Sequence, residues 1–362
     1  MKMKTPRSRG GEITRVHSVV AACLLVSCFI SPAARANVDR AVFMRLAASV
    51  LKVEAVKDSG GVAIGTAVTV APQRVVTNCH VTREAHSISL EKAGRRWKVM
   101  SQLADPEHDL CLLFAPGLKS APVALGTTLE LLVGQPVVAV SYGGGVGMHF
   151  SEGAVTALHQ FDGGPVVQSD AGFTAGASGG GLFDQDGSLV GVLTFRLPMR
   201  GAYFFAAPVE WFCGRVHDAG RYAAIAPLPT GKSYWERADA EQPYFLRAAS
   251  LAAGNDWEGL LRLTDDWIEA ERANSEPWRS RGLAYSRTER DQDALGALRE
   301  AVRRDPADAS AWFDLGHLYV RLNRAKEIAE VRKTLAGLNP RLAVQLEKEI
   351  TRPESNGKET KK

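Results

Sequence analysis

Three short stretches of this chain place chemically competent side chains at the ends of apolar runs. The first is Val75-Val76-Thr77-Asn78-Cys79-His80-Val81, and the second is Asp105-Pro106-Glu107-His108-Asp109-Leu110-Cys111-Leu112-Leu113. The third leads from Ser169 through Gly176-Ala177-Ser178-Gly179-Gly180-Gly181 to Phe183. A serine hydroxyl is a weak nucleophile at neutral pH. It needs an imidazole within hydrogen-bond reach, and the imidazole needs a carboxylate that fixes its tautomer and stabilises its cation. His80, Asp109 and Ser178 supply the three groups in that order. Glycine at Gly176 lets the backbone turn so that its own N–H and that of Ser178 point together at a developing oxyanion. Gly179 and Gly180 leave room for a peptide to approach.

Other readings of the same residues fit less well. Gly176-x-Ser178-x-Gly180 also matches the nucleophile elbow of α/β-hydrolases, which needs strand, serine, helix and a later histidine. Here a turn and a strand follow Ser178, and the later histidines are His217 and His317. The glycines from Gly143 to Gly147 precede no helical pattern, so they read as a turn rather than a phosphate loop. His86, His108, His149 and His159 have no partner legible in the sequence and read as surface or turn residues. Asp105 is a rival carboxylate, but only Asp109 directly precedes the apolar strand.

The elements around these residues are of two kinds. From Val50 to Ala207, short β segments such as Val50–Val56, Gly61–Val70, Leu110–Phe114, Pro136–Val140 and Ser188–Phe195 are separated by polar or glycine-rich turns, the pattern of an antiparallel sandwich or barrel. A short helix is predicted near Pro208–Cys213, and Ala226-Pro227-Leu228-Pro229-Thr230-Gly231 reads as a linker. Beyond it the apolar residues take helical spacing. Trp278, Gly282, Tyr285 and Pro306 recur as Trp312, Gly316, Tyr319 and Pro340, one period of about 34 residues later. That period and residue set resemble the tetratricopeptide repeat, with Ile328 and Arg332 departing from it and a more degenerate unit upstream at 243–273. The expected organisation is a signal peptide at 1–36, a β domain at 37–224, a linker at 225–238, helical repeats at 239–350 and a disordered tail at 351–362.

Within that frame the catalytic segments resemble the HtrA/Deg group of trypsin-like serine proteases. The resemblance covers about residues 45–212. It rests on Thr77-Asn78-Cys79-His80-Val81, on His108-Asp109-Leu110-Cys111-Leu112-Leu113 and on the run from Gly176 to Gly191. It implies a double six-stranded β-barrel with the active site between barrels, and peptide-bond hydrolysis through an acyl-enzyme. His80 is then the base, Asp109 the orienting acid, Ser178 the nucleophile, and the N–H groups of Gly176 and Ser178 the oxyanion hole. The resemblance also implies a Cys79–Cys111 disulfide, with two buried thiols as the alternative. Gly172 lies six residues before Ser178, where trypsins that cut after basic residues carry an aspartate. With Phe173 beside it, small or medium apolar residues are the expected preference; Thr194, Phe195 and Arg196 are also expected to line the cleft, with Arg196 favouring acidic groups at neighbouring positions. Ala177 replaces the aspartate that pairs with a new N-terminus in digestive trypsins, no PDZ-like segment follows, and Tyr142-Gly143-Gly144-Gly145 replaces the group's asparagine-proline loop.

Charge, cysteines and the N-terminus bound what else the chain does. A net charge of +4 over 362 residues gives no nucleic-acid footprint, and 45% hydrophobic with 23% charged residues is an ordinary globular composition. A basic stretch to Arg15, an apolar run from Val19 to Ile30 and Ala34-Arg35-Ala36 form an export signal. The run is shorter than the about 20 residues a transmembrane helix needs. Leu25-Val26-Ser27-Cys28 resembles a lipobox, so a lipid anchor at Cys28 is the alternative to cleavage after Ala36. A periplasmic or secreted protein, or a membrane-anchored lipoprotein, is expected. Cleavage would leave Cys79, Cys111 and Cys213, with no tight Cys/His cluster for a metal and no cofactor implied. Substrates are expected to be proteins or peptides, and the repeats are expected to bind a protein partner. A catalytically inactive scaffold or a chaperone-like binding module is the rival. Because His80, Asp109 and Ser178 all precede the linker, catalysis is expected to need nothing beyond Thr230.

Overall fold

The computed structural model describes residues 40–145, 147–197, 203–229 and 231–351. The expected export signal, with Cys28, and the expected disordered tail apart from Thr351 lie outside them. Helix α1 (Arg40–Ser49) leads into β1 (Val50–Lys57), β2 (Val62–Ala71) and β3 (Arg74–Asn78), and a one-turn helix, α2 (Cys79–Thr82), ends β3. Then come β4 (Ala85–Lys92), β5 (Arg95–Lys98), β6 (Ser101–Asp105) and β7 (Leu110–Phe114). The second half holds β8 (Pro136–Ser141), β9 (His149–Phe161), β10 (Gly164–Ser169), β11 (Gly181–Phe183), β12 (Leu189–Arg196) and β13 (Phe204–Pro208), with β14 (Ala223–Ala224) after it.

The second half closes into a six-stranded barrel in the order β10-β13-β12-β11-β8-β9. The first half departs from the implied six strands. It is an eight-stranded sheet, β14-β6-β7-β3-β2-β1-β4-β5. Ala93 and Gly94, at φ 48° and 76°, take the left-handed values of a two-residue hairpin turn and fold β5 back on β4. At the other edge β14 returns from beyond the barrel, pairing Ala223 with Gln102.

Helices α3 (Tyr244–Ala253) and α4 (Trp257–Ala270), α5 (Glu276–Arg287) and α6 (Asp291–Arg304), and α7 (Ala309–Arg321) and α8 (Ala325–Leu338) pack as successive pairs, with α9 (Pro340–Thr351) last. The repeated glycines are where helices touch. A Cβ on Gly282 would lie 2.5 Å from Leu298, and one on Gly316 2.7 Å from Leu346. The helices do not stand apart from the sheets: Val68, Val76, Phe183 and Phe205 share one continuous core with Tyr234, Phe245, Leu260 and Trp267. Burying this apolar surface is what joins the halves. At its edge the His159 ring meets Glu276 Oε1 at 2.5 Å and stacks on Phe245 at 4.8 Å, and Asn339 donates to the Val133 carbonyl at 2.8 Å. His159 is therefore an interface residue, not a surface one.

Candidate active site

His80 lies in the first turn of α2 and Asp109 one residue before β7. Strands β3 and β7 pair antiparallel with Asn78 opposite Leu110 and Thr77 opposite Cys111, so register delivers imidazole and carboxylate to the same end of the sheet. A Cys79–Cys111 disulfide crosses the same strands, with Cα atoms 5.0 Å apart. Asp109 is 1% exposed and sits at φ 59°, a left-handed conformation that a non-glycine residue keeps only when its surroundings hold it. The hold comes through its carbonyl, which accepts from the Cys79 N–H at 3.1 Å and the Asn78 side chain at 2.9 Å. The carboxylate then reaches His80 twice, Oδ1 accepting the backbone N–H at 2.7 Å and Oδ2 the ring Nδ1–H at 2.6 Å. A carboxylate can only accept, so Nδ1 carries a proton, and in the neutral ring the lone pair is at Nε2.

Ser178 lies in the second of two successive tight turns. Ala177 N–H donates to the Thr174 carbonyl at 3.0 Å and Gly180 N–H to the Ala177 carbonyl at 2.8 Å, with Gly176 and Gly179 in the third positions at φ 88° and 86°. Type II turns demand such values there, and glycine meets them without strain. Space demands it too. A Cβ on Gly179 would fall 2.0 Å from the Thr66 carbonyl oxygen. In a trans peptide the C=O and N–H point oppositely, so pinning a carbonyl aims the next amide. The Ala175 carbonyl is pinned by the Gly144 N–H at 2.7 Å, and the Ala177 carbonyl by Gly180. Among the described residues, the N–H groups of Gly176 and Ser178 have no protein partner, nor has the Ser178 hydroxyl.

The two halves meet through β2. A Cβ on Gly65 would touch Val81 of α2 at 2.6 Å and the Ser178 carbonyl at 3.2 Å, so the bare glycine lets the histidine-bearing helix and the serine turn approach. Beside it, the buried Thr66 hydroxyl donates to the Gly176 carbonyl at 2.8 Å and accepts the Tyr142 N–H at 2.9 Å, while its own N–H donates to the Ser178 carbonyl at 2.8 Å.

Residues 65–192 match the trypsin-like peptidase domain family, and 275–318 the tetratricopeptide repeat. The chain carries a trypsin-like peptidase domain. Similar curated proteins include the chloroplastic Protease Do-like 1 of Arabidopsis thaliana, 30% identical over 165 residues, which are 42% of this chain and 38% of that protein. The periplasmic pH-dependent serine endoprotease DegQ of Escherichia coli is 30% identical over 148 residues, 39% of this chain and 32% of its own. The chain thus spans well under half the length of these relatives. The active form of the protease Rv3671c of M. tuberculosis aligns at 23% identity over 54% of this chain and 89% of its own, with a TM-score of 0.47.

Within the peptidase domain the predicted substrate residues differ in exposure. Gly172 lies under the Phe204 ring, where a Cβ would be 3.4 Å from its edge, and Phe173 packs on the same ring at 5.2 Å. Arg196 is exposed at the end of β12. Thr194 and Phe195 turn inward instead. Strand β12 is buried on both faces from Leu189 to Phe195, so both side chains lie in the interior. The Thr194 hydroxyl donates to the Val192 carbonyl and accepts from Asn78, and Phe195 is stacked between Phe205 at 4.7 Å and Trp235 at 5.1 Å. Asp105, the rival carboxylate, is engaged elsewhere by His108 at 3.0 Å and Arg215 at 2.7 Å. Burial pushes its pKa up, but the His108 hydrogen bond and charge, with Arg215, outweigh that and hold it at about 2. His108 lies in a turn, as expected, but is partnered there by Asp105 and Asp162.

Sequence reasoning missed Phe204, Thr66 and Trp235. Trp235 lies in the stretch expected to be a linker, yet its indole N–H donates to Asp109 Oδ2 at 3.1 Å. A residue beyond Thr230 therefore touches the pair that was expected to need nothing from there. The stretch packs back on the first sheet, with Ser233 and Tyr234 buried and the Leu228 N–H on the Arg83 carbonyl at 2.7 Å.

Proposed function

We propose that this chain is an exported serine endopeptidase that cleaves protein substrates through an acyl-enzyme. The observation that carries the reading is the doubly hydrogen-bonded His80–Asp109 pair beside a serine turn with two unengaged amides. His80 Nε2 takes the Ser178 proton as Oγ attacks the scissile carbonyl. The oxyanion accepts from the N–H groups of Gly176 and Ser178, and Asp109 stabilises the imidazolium. His80 then protonates the leaving amine, and water resolves the ester by the reverse proton path. Catalytic hydrogen bonds are often long in unliganded sites and tighten with substrate, which accords with the unpaired Ser178 hydroxyl.

The apolar packing of Gly172 and Phe173 on Phe204, with glycine where basic-specific trypsins carry an aspartate, supports cleavage after small or medium apolar residues. The repeats would recognise protein substrates or partners. Export is supported by the leader at 1–36, by a disulfide suited to an oxidising compartment and by the periplasmic name of one relative. Among the described residues no helix is long and apolar enough to cross a membrane. The test is fluorophosphonate labelling with cleavage of unfolded casein. Ser178→Ala is expected to abolish labelling and to lower turnover on the order of 10⁴-fold. Wild-type cleavage by Ser178→Ala would overturn the reading.

A further inference from the structure

We infer that Trp235 is a positioning residue for the His80–Asp109 pair, so that the chain beyond the second barrel completes the active site. The inference rests on the proposed peptidase reading and adds to it a group from outside the matched family segment, which ends at residue 192.

Asp109 Oδ2 has two donors, His80 Nδ1–H at 2.6 Å and Trp235 Nε1–H at 3.1 Å. The indole also stands edge-on to the His80 ring, with centroids 5.5 Å apart and planes at 82°, and its face lies flat on Phe195 at 5.1 Å and 11°. One side chain thus touches both members of the pair and anchors them to the second barrel. A neutral N–H on a carboxylate stabilises its charge without supplying a cation, fixes the rotamer that presents the other lone pairs to the imidazole, and excludes water.

Trp235 is itself gripped on both sides. Tyr234 is fully buried and its N–H donates to the Glu107 carbonyl at 3.1 Å, two residues before Asp109. Glu236 forms a two-pronged pair with Arg83 at 2.7 and 2.9 Å and accepts the Ser233 hydroxyl at 2.9 Å. Burial pushes the Glu236 pKa up, but the hydrogen bonds from Arg83 and Ser233 hold it below the usual carboxylate range. Arg83 directly follows α2, the helix bearing His80, and Glu107 belongs to the loop bearing Asp109. The strap therefore clamps the two elements whose separation sets the catalytic hydrogen bond. Gln242 closes it toward α3 by donating to the Trp235 and Arg237 carbonyls at 3.1 and 3.0 Å.

The test compares the full-length protein with Trp235→Phe, which keeps an aromatic ring and removes only the donor. Loss of one hydrogen bond to a charged acceptor predicts a fall in kcat for a short peptide on the order of tenfold, with KM unchanged. Removing the donor makes the carboxylate more basic and so favours the imidazolium. The acidic limb of kcat/KM should move to higher pH. Unaltered kcat and limb in Trp235→Phe, or a fall in kcat without movement of the limb, would refute the inference. Ser178→Ala run alongside separates the two readings, since activity surviving in that variant sinks the peptidase assignment and not the role of Trp235. A second measurement needs no Trp235 variant. In wild-type protein labelled with ¹⁵N-tryptophan, one indole N–H signal should inflect at the pH of the acidic limb and lose that inflection in His80→Ala. Absence of any such signal rejects the proposal even if Trp235→Phe does not fold.

Discussion

Thr66→Val removes a hydroxyl that joins the two halves of the peptidase domain at the serine turn. The hydroxyl is fully buried, donates to the Gly176 carbonyl at 2.8 Å and accepts the Tyr142 N–H at 2.9 Å. Valine keeps the shape but leaves both backbone groups unsatisfied in the interior. At about 1.5 kcal/mol for each stranded group, the loss is about 3 kcal/mol. For a folded unit of this size about 2 °C accompanies each kcal/mol, so Tm should fall by roughly 6 °C. Activity should fall further than the folded fraction explains. With the Gly176 carbonyl released, its turn loosens and the Gly176 amide loses its aim. Since deleting a whole oxyanion donor costs about 10²–10³ in kcat, a loosened one should cost on the order of tenfold. Thr66→Ser, which restores the hydroxyl, should recover both quantities. The assays are thermal unfolding and steady-state hydrolysis of a short apolar peptide well below Tm. Wild-type Tm and kcat in Thr66→Val would refute the claim that this hydroxyl braces the turn.

The Cys79–Cys111 bridge closes a loop of 32 residues, for which chain entropy gives about 3.7 kcal/mol; the double alanine variant should lose stability of that order in denaturant unfolding, and free thiols in mass spectrometry of the unreduced protein would contradict the bridge. His108 faces Asp105, Asp162 and Arg215-bound charge; burial lowers its pKa but the Asp105 and Asp162 hydrogen bonds raise it overall, while Asp105 is held at about 2. The cluster's stabilisation should therefore be full between about pH 4 and 6.5, fade as pH rises through the raised His108 pKa, and fade as pH falls toward that of Asp105. The stability difference between wild type and His108→Phe, followed by unfolding across pH, should show that plateau; a difference independent of pH would count against it. A chain ended at Gly231 should hydrolyse even a short peptide at least tenfold more slowly, and a wild-type rate from that fragment would show the barrels to be self-sufficient.

What the sequence disclosed follows from how local each constraint is. His80 and Asp109 announce themselves because one follows and the other precedes an apolar strand, Ser178 because glycines crowd its turn, and Gly176 and Gly179 because turns with positive φ leave few alternatives to glycine. Repeated glycines at 282 and 316 likewise mark close helix contacts. Trp235, by contrast, meets Asp109 across 126 residues, and Glu276 meets His159 across 117; no local period encodes either contact. The stretch from Ala226 reads as a linker because proline and glycine mark chain reversals, and they do so equally in a strap that packs on a sheet. Thr194 and Phe195 were expected to line a cleft, whereas every residue of β12 before Arg196 is buried, and in a strand covered on both faces alternation does not separate core from surface positions.

The strap also imposes an order in time. Asp109 leaves the ribosome 126 residues ahead of Trp235, which at about 5–20 residues per second is a delay of roughly 6–25 s. Within that interval the whole second barrel, through Pro208, is synthesised, and the indole that contacts Asp109 still follows it. A nascent peptidase is thereby kept from full competence beside its own unfolded chain until its last barrel strand is well behind it.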